Sequence, residues 1–374
     1  MTLDSTLKER IALAPGYTYL NTAQCGLLMK PVAEEMAAVH QEQAQYGCAP
    51  WMQWLERREA VREHVAQLLS ANASEISFVS STSHGMSTLA FMLYQEGKRK
   101  VLSTDAEFVS TVLPWRHYGF EVELAPTQEG VLDPETVKAR LDHADVFVTG
   151  HVHSYTGFRN DLRTLGELCQ KSGTLFAVNA TQSAGVFPID VEKDAIDFLT
   201  FSGFKWLMAG YGTGALYIKT DKIRNRKGPL TGWMALENPY THDLESYVAA
   251  QDGRALEHGA PDFARVFALD RALSEFESID YDALRRRVLS LAEKVREESR
   301  SRSITMFGSD LEAHQSGIVS LRLPEAPRLA KELRERKIIA SAREGILRVA
   351  THFFNTEEDI ATFFHHLDEL RLAH

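Results

Sequence analysis

A chain of 374 residues, 44% hydrophobic and 25% charged, has the composition of a globular protein able to bury an extensive core. Its 41 basic and 51 acidic residues leave a net charge of −10 with no basic block, which argues against a nucleic-acid partner, and no apolar stretch is long enough for a membrane span. The first residues hold no apolar core of signal-peptide length, and Cys25, Cys48 and Cys169 are too widely spaced for a disulfide framework or a zinc pattern, so a reduced, cytoplasmic protein without a metal site is expected.

In chain order, residues 1–15 read as a short leading helix and 17–21 as the entry to a loop over 22–26. Two helical stretches follow, the second over Trp51–Leu69 with Leu55, Val61, Val65 and Leu68 near one face. Residues 75–79 form a short strand that runs through Ser80, Ser81, Thr82, Ser83 and His84 into an apolar helix. Free backbone N–H groups at a helix start flanked by hydroxyls suit a phosphate. An ordinary run of N-capping residues is the plainer alternative. Strands at 100–103, 120–124, 146–149, 175–178, 197–201 and 215–218 then follow, with helices starting near Glu107, Pro134 and Arg163 among them.

Repeated strand–helix units predict an α/β fold with a mainly parallel sheet covered by helices on both faces. Ligands of such sheets bind beyond the carboxyl ends of the strands, where the loops 82–84, 107–110, 151–156, 179–182 and 202–205 fall. The texture changes near Asp252: two charged helical segments over 261–300, a strand at 317–321, a helix at 329–336 and strands at 338–341 and 346–349. The last helix is capped by Thr356 and Asp359 and carries the apolar stripe Ile360, Phe363, Phe364, Leu367 and Leu370. The expected division is a large domain over 16–251 and a smaller α+β domain made of 1–15 and 252–374.

Lys205 stands two residues after Gly203, and Asn179 and Gln182 close the preceding strand, a pattern that suggests a covalent cofactor site. The segments 178–183 and 197–206, read together, resemble the class V aminotransferase family of fold-type I pyridoxal-phosphate enzymes. That family includes cysteine desulfurases, selenocysteine lyases, kynureninases and isopenicillin-N-epimerase-like proteins. The likeness runs from Tyr19, Leu20 and Asn21 to Asn355 and Thr356. It implies a seven-stranded sheet in the large domain, a homodimer with active sites at the interface, and pyridoxal 5'-phosphate carried on Lys205 as a Schiff base, which only an amine can form reversibly. By the same resemblance Thr82, Ser83, His84 and Ser202 take the cofactor phosphate, with Thr231 reaching the phosphate of the neighbouring subunit. Gln182 meets the phenolic oxygen, Ser154 is the polar neighbour on its other side, Phe108 stacks on the ring and Asn179 meets the pyridine nitrogen. Arg348 takes the substrate α-carboxylate through its fork of donors, with Asn21 and Cys25 at the substrate end.

Three positions depart from the family pattern. Asn179 replaces an aspartate, so a hydrogen bond is kept and a charge is lost. Phe108 replaces the stacked histidine of desulfurases and has no proton to transfer, which leaves Lys205 as the main acid and base. The segment 341–345 is short and lacks the nucleophilic cysteine of desulfurases, which argues against a persulfide-forming enzyme. The resemblance therefore implies an amino-acid or amino-acid-conjugate substrate and, first, transamination. C–S β-elimination and epimerisation on the same scaffold are the alternatives, and a catalytically weak cofactor-binding regulator is the rival of another class. A nucleotide-binding protein is disfavoured by the lack of a G-x-x-x-x-G-K-[ST] loop.

Overall fold

The computed structural model describes residues 8–223, 227–343 and 345–372. The expected leading helix lies partly outside the described residues; within them Lys8–Arg10 form a single 3-10 turn. The expected loop entry at 17–21 is instead a strand, β1 (Thr18–Tyr19), followed by α1 (Lys30–Tyr46) and α2 (Trp51–Leu69).

The main sheet is built from β2 (Ile76–Phe78), β3 (Lys100–Thr104), β4 (Glu121–Ala125), β5 (Val146–Gly150), β6 (Leu175–Asn179), β7 (Phe198–Ser202) and β8 (Gly214–Ile218). Their order is β2-β8-β7-β6-β5-β3-β4, and β8 alone runs against the others. Between them lie α3 (Thr82–Gln95), α4 (Val109–His117), α5 (Pro134–Leu141) and α6 (Leu162–Ser172), with one turn of α7 (Thr220–Ile223) after β8. Every residue of β5, β7 and β8 is buried, as a sheet covered on both faces requires. Helix α3 packs so tightly on the sheet that a Cβ at Gly85 would sit 2.2 Å from the Thr200 hydroxyl. This glycine lets the start of α3 meet the end of β7.

The remaining elements are α8 (Phe263–Glu277), α9 (Tyr281–Ser301), β9 (Met306–Phe307), β10 (Ile318–Arg322), α10 (Ala326–Glu335), β11 (Ile338–Ile339), β12 (Ser341–Arg343), β13 (Ile346–Ala350) and α11 (Glu357–Leu372). A four-stranded antiparallel sheet, β12-β13-β10-β9, packs its Leu321, Leu347 and Val349 against Phe363, Phe364 and Leu367 of α11. The α11 cap is reciprocal, with Thr356 N–H donating to Asp359 Oδ2 (2.9 Å) and Asp359 N–H to Thr356 Oγ1 (3.2 Å).

Two placements differ from expectation. The strand expected over 338–341 splits, because β11 pairs in parallel with β1 while β12 folds back on β13 as a hairpin. Gly345 supplies the left-handed residue that the reversal needs (φ 71°). The second concerns α8, which lies beyond position 252 but buries Phe263, Phe267, Leu273 and Phe276 in the same core as Val32, Trp54 and Val61 of α1 and α2. Conversely, Leu20 next to β1 belongs to the core of the small sheet. Helix α9 spans both layers, with Leu284 and Val288 in the first core and Leu291, Ala292 and Val295 in the core of the small sheet.

Candidate active site

Beyond the carboxyl ends of β5, β6 and β7 opens a cavity of about 430 Å³, closed on its far side by the β12–β13 hairpin. Its wall brings together Thr82, Ser83, Phe108, Ser154, Asn179, Gln182, Ser202, Lys205 and Arg348 from those singled out in the sequence. Lys205 leaves the turn after β7, and the loop over it runs so close that a Cβ at Gly26 would meet the Lys205 carbonyl oxygen at 2.0 Å. Burial, and then the positive charge of Arg348, pull the lysine amine from its ordinary 10.5 down to about 7, against a smaller opposing influence from Cys25. Its Nζ lies 5.7 Å from the centroid of the Phe108 ring. A lysine in this setting is present in good part as the uncharged nucleophile at neutral pH, where an ordinary lysine is almost wholly charged.

Two amides are oriented by partners of only one kind. The indole of Trp206 can only donate, so Gln182 presents Oε1 to it (2.7 Å) and donates from Nε2 to the Ala23 carbonyl (2.9 Å). Asn179 accepts the Thr181 backbone N–H at Oδ1 (3.0 Å) and donates from Nδ2 to Thr111 Oγ1 (2.9 Å). Each keeps one further N–H for the cavity that it lines.

At the start of α3, Ser81 Oγ accepts the His84 N–H (3.2 Å) and Ser202 Oγ accepts the Thr82 N–H (2.8 Å). The hydroxyl of Thr82 also meets those of Ser202 (2.9 Å) and Thr181. Ser83 thus brings an amide of the first helical turn to the cavity wall, where the turn's orphan donors favour an anion.

On the hairpin side, Arg348 donates from Nε to Ser341 Oγ (3.1 Å) and from Nη1 to the Ser154 carbonyl (2.5 Å). Burial pulls it down to about 10, with Tyr155 opposing that shift and Arg343 adding to it. Among the described residues, the buried hydroxyls of Ser154 and Tyr155 have no hydrogen-bond partner. Glu107 also lines the cavity. Burial would raise its carboxyl, but His153, the Gly150 N–H (2.7 Å) and the Thr149 hydroxyl (2.7 Å) together hold it below the usual range.

Four expected residues lie elsewhere. The His84 side chain lines a neighbouring cavity with Ser80, Gly212 and His258, because its position on α3 turns it away from β6 and β7. Thr231 is exposed and meets the Tyr247 hydroxyl (3.0 Å). Asn21 bridges to Ala350 and donates to Gln24 (3.1 Å). Cys25 turns its thiol to the Gly26 carbonyl (3.3 Å), although its neighbours Ala23 and Gln24 are in the wall. Conversely, Glu107, Tyr155, Thr181 and Arg343 line the cavity without having been singled out. Two signals pointed to them: Tyr155 adjoins Ser154 in one loop, and Arg343 stands in the short segment before Arg348.

The small layer is also tied to the lysine turn. His352, just after β13, bonds through Nε2 to the Trp206 carbonyl (3.0 Å), and its ring stacks on the indole at 5.5 Å. Burial pushes this imidazole down to about 4, so it is neutral there.

This arrangement, a buried lysine of lowered basicity between a helix start and an arginine at the ends of parallel strands, is that of a fold-type I cofactor enzyme. The family model for aminotransferase class-V matches residues 28–363. An uncharacterized aminotransferase of Bacillus subtilis, YcbU, is 27% identical over 356 residues, 95% of this chain and 94% of that protein. A probable cysteine desulfurase of Pyrococcus abyssi is 26% identical over 401 residues, 99% and 98% of the two chains. Among solved structures, the apo cysteine desulfurase of Thermococcus onnurineus NA1 superposes with a TM-score of 0.87 at 24% identity, covering 95% of this chain and 94% of that one. The chain belongs to the class-V aminotransferase family, pyridoxal-phosphate enzymes with transferase or lyase activity. Among the described residues no helix is long and apolar enough to cross a membrane.

Proposed function

We propose that this enzyme holds pyridoxal phosphate on Lys205 and transaminates an α-amino acid or amino-acid conjugate. The observation that carries the reading is the Lys205 amine, buried and pulled down to about 7, in one cavity with the Arg348 guanidinium. The donors fit the cofactor. The Ser83 amide and the Thr82 and Ser202 hydroxyls suit its phosphate, the spare N–H of Gln182 its phenolic oxygen, and the Phe108 ring its face. Bound pyridoxal phosphate supplies an electron sink for the substrate's α-carbon. Asn179 offers an uncharged N–H to the ring nitrogen, which favours the unprotonated ring. Arg348, braced by Ser341 and Ser154, binds the α-carboxylate with its remaining donors and orients the α-carbon towards Lys205. The Lys205 Nζ, once free, would take the α-proton and deliver it to the cofactor's aldehyde carbon rather than back to the α-carbon, as transamination requires.

The absence of a cysteine from the β12–β13 hairpin supports transamination over a persulfide route. The apolar side chains Leu230, Tyr240, Leu244 and Val248, exposed in the segment that also holds Thr231, support a homodimer in which that segment meets the partner's site. Three unpaired cysteines, Cys25, Cys48 and Cys169, support a reducing, cytoplasmic setting.

The purified protein should show a chromophore that borohydride fixes covalently, and Lys205→Ala should abolish both the trapping and at least about 10³-fold of turnover. Trapping that survives Lys205→Ala refutes the assignment. A keto acid with aminated cofactor is the expected product pair. Pyruvate with a released thiol, or an inverted stereocentre, would replace transamination by elimination or epimerisation. Sedimentation that gives a monomer at assay concentration would remove the dimer.

A further inference from the structure

Two guanidinium groups face this cavity, and the reaction just described uses one. Arg343 ends β12 opposite Ile346 and lines the same wall as Arg348 and Lys205. Its Cζ lies 3.8 Å from the centroid of the Tyr155 ring. Stacking of this kind holds the guanidinium plane while leaving its in-plane N–H groups available. The buried Tyr155 hydroxyl is a donor without a partner among the described residues. Among the described residues no carboxylate pairs with Arg343 or Arg348, and Glu107, the acidic side chain in the wall, is already engaged by Gly150, Thr149 and His153.

Three basic side chains therefore converge on one small space, and among the described residues no free counter-charge faces them. An α-carboxylate has two oxygens and is satisfied by a single guanidinium fork. Arg348 provides that fork, which leaves Arg343 and the Tyr155 hydroxyl as an unused anion site in the wall. A neutral side chain would give Arg343 no charge to pair with, so an acidic group gains an attraction that its amide lacks.

We propose that the substrate is an α-amino acid with a second acidic group on its side chain, which docks on Arg343 and the Tyr155 hydroxyl while its α-carboxylate docks on Arg348. This rests on the site reading above and names the substrate class for it.

The test uses the holoenzyme. L-Aspartate, L-glutamate and L-α-aminoadipate are each titrated against their ω-amides, with the change in cofactor absorbance as the readout. At least one acid should bind about tenfold or more tighter than its amide. Arg343→Gln should collapse that ratio to within about threefold, and Arg343→Lys should keep an intermediate preference because it retains the charge without the fork. Arg343 is exposed, so the substitutions leave the core intact. Equal binding of every acid and its amide by the wild type, or a preference that survives Arg343→Gln, overturns the proposal. Borohydride trapping is measured first on the same preparation. Trapping without acid preference defeats this inference alone, whereas failure to trap defeats the site reading and this inference with it.

Discussion

The two halves of the cavity treat their polar groups in opposite ways. Where the large sheet forms the wall, Gln182 is held by Trp206 and Ala23, Asn179 by Thr181 and Thr111, and the hydroxyls of Thr82, Thr181 and Ser202 by one another. Where the hairpin and the 151–157 loop form it, Arg343 faces the space and, among the described residues, has no acidic partner, and the Ser154 and Tyr155 hydroxyls have no hydrogen-bond partner there either. The first half is set before anything binds, and a resident group meets donors already aimed. The second keeps its donors unpaired, which favours a charged visitor that comes and goes.

The largest effect on stability should come from breaking the set half. Trp206→Phe removes the donor to Gln182 Oε1 and loosens the stack with His352, and should cost about 2–4 kcal/mol in urea unfolding, together with weaker cofactor retention. A loss no larger than that of Tyr155→Phe would erase the contrast between the halves.

A second test concerns the buried lysine. The folded amine titrates near 7 and the unfolded one near its ordinary 10.5, so the unfolded chain binds more protons between those values and stability rises with pH through that window. Below pH 7 the full cost of burying the charge remains. With cofactor removed, Lys205→Met should melt above the wild type at pH 7, by an amount equivalent to a few kcal/mol, and the gap should narrow as the pH approaches 10.5. A gap that is independent of pH would show that the lysine is not desolvated.

Asn179→Asp should shift the absorbance of the bound cofactor while moving the apo melting temperature by only a few degrees. An aspartate there can still accept from Thr181 N–H and from the Thr111 hydroxyl. Identical holo spectra would remove the significance of the missing charge. The smallest change is expected for Tyr155→Phe, which deletes a hydroxyl that bonds to nothing and keeps the ring under Arg343. Apo stability should stay within about 0.5 kcal/mol.

The large sheet was legible because β5, β7 and β8 are short, wholly apolar-faced runs ended by glycine or polar residues, which is what burial on both faces demands. The set half of the site was legible for the same reason: its residues follow strand ends within a few positions. What escaped depends on pairing across the chain. β1 is two residues long and exists through β11, more than 300 positions away in sequence and invisible to local periodicity. Arg343 became a wall residue because Ser341 pairs with Arg348 in register, and Glu107 is a site neighbour through Gly150, a contact that no spacing encodes. His84 was misplaced because a helix start shows which residues cap it but not which way each side chain turns.

The Trp206–His352 contact has a mechanical consequence. It clamps the backbone next to Lys205 to a point four residues past Arg348, with a neutral ring that does not change charge between mildly acidic and alkaline conditions. The distance from lysine to arginine is thereby fixed to a common anchor, so a closing movement that kept the clamp would leave their spacing unaltered.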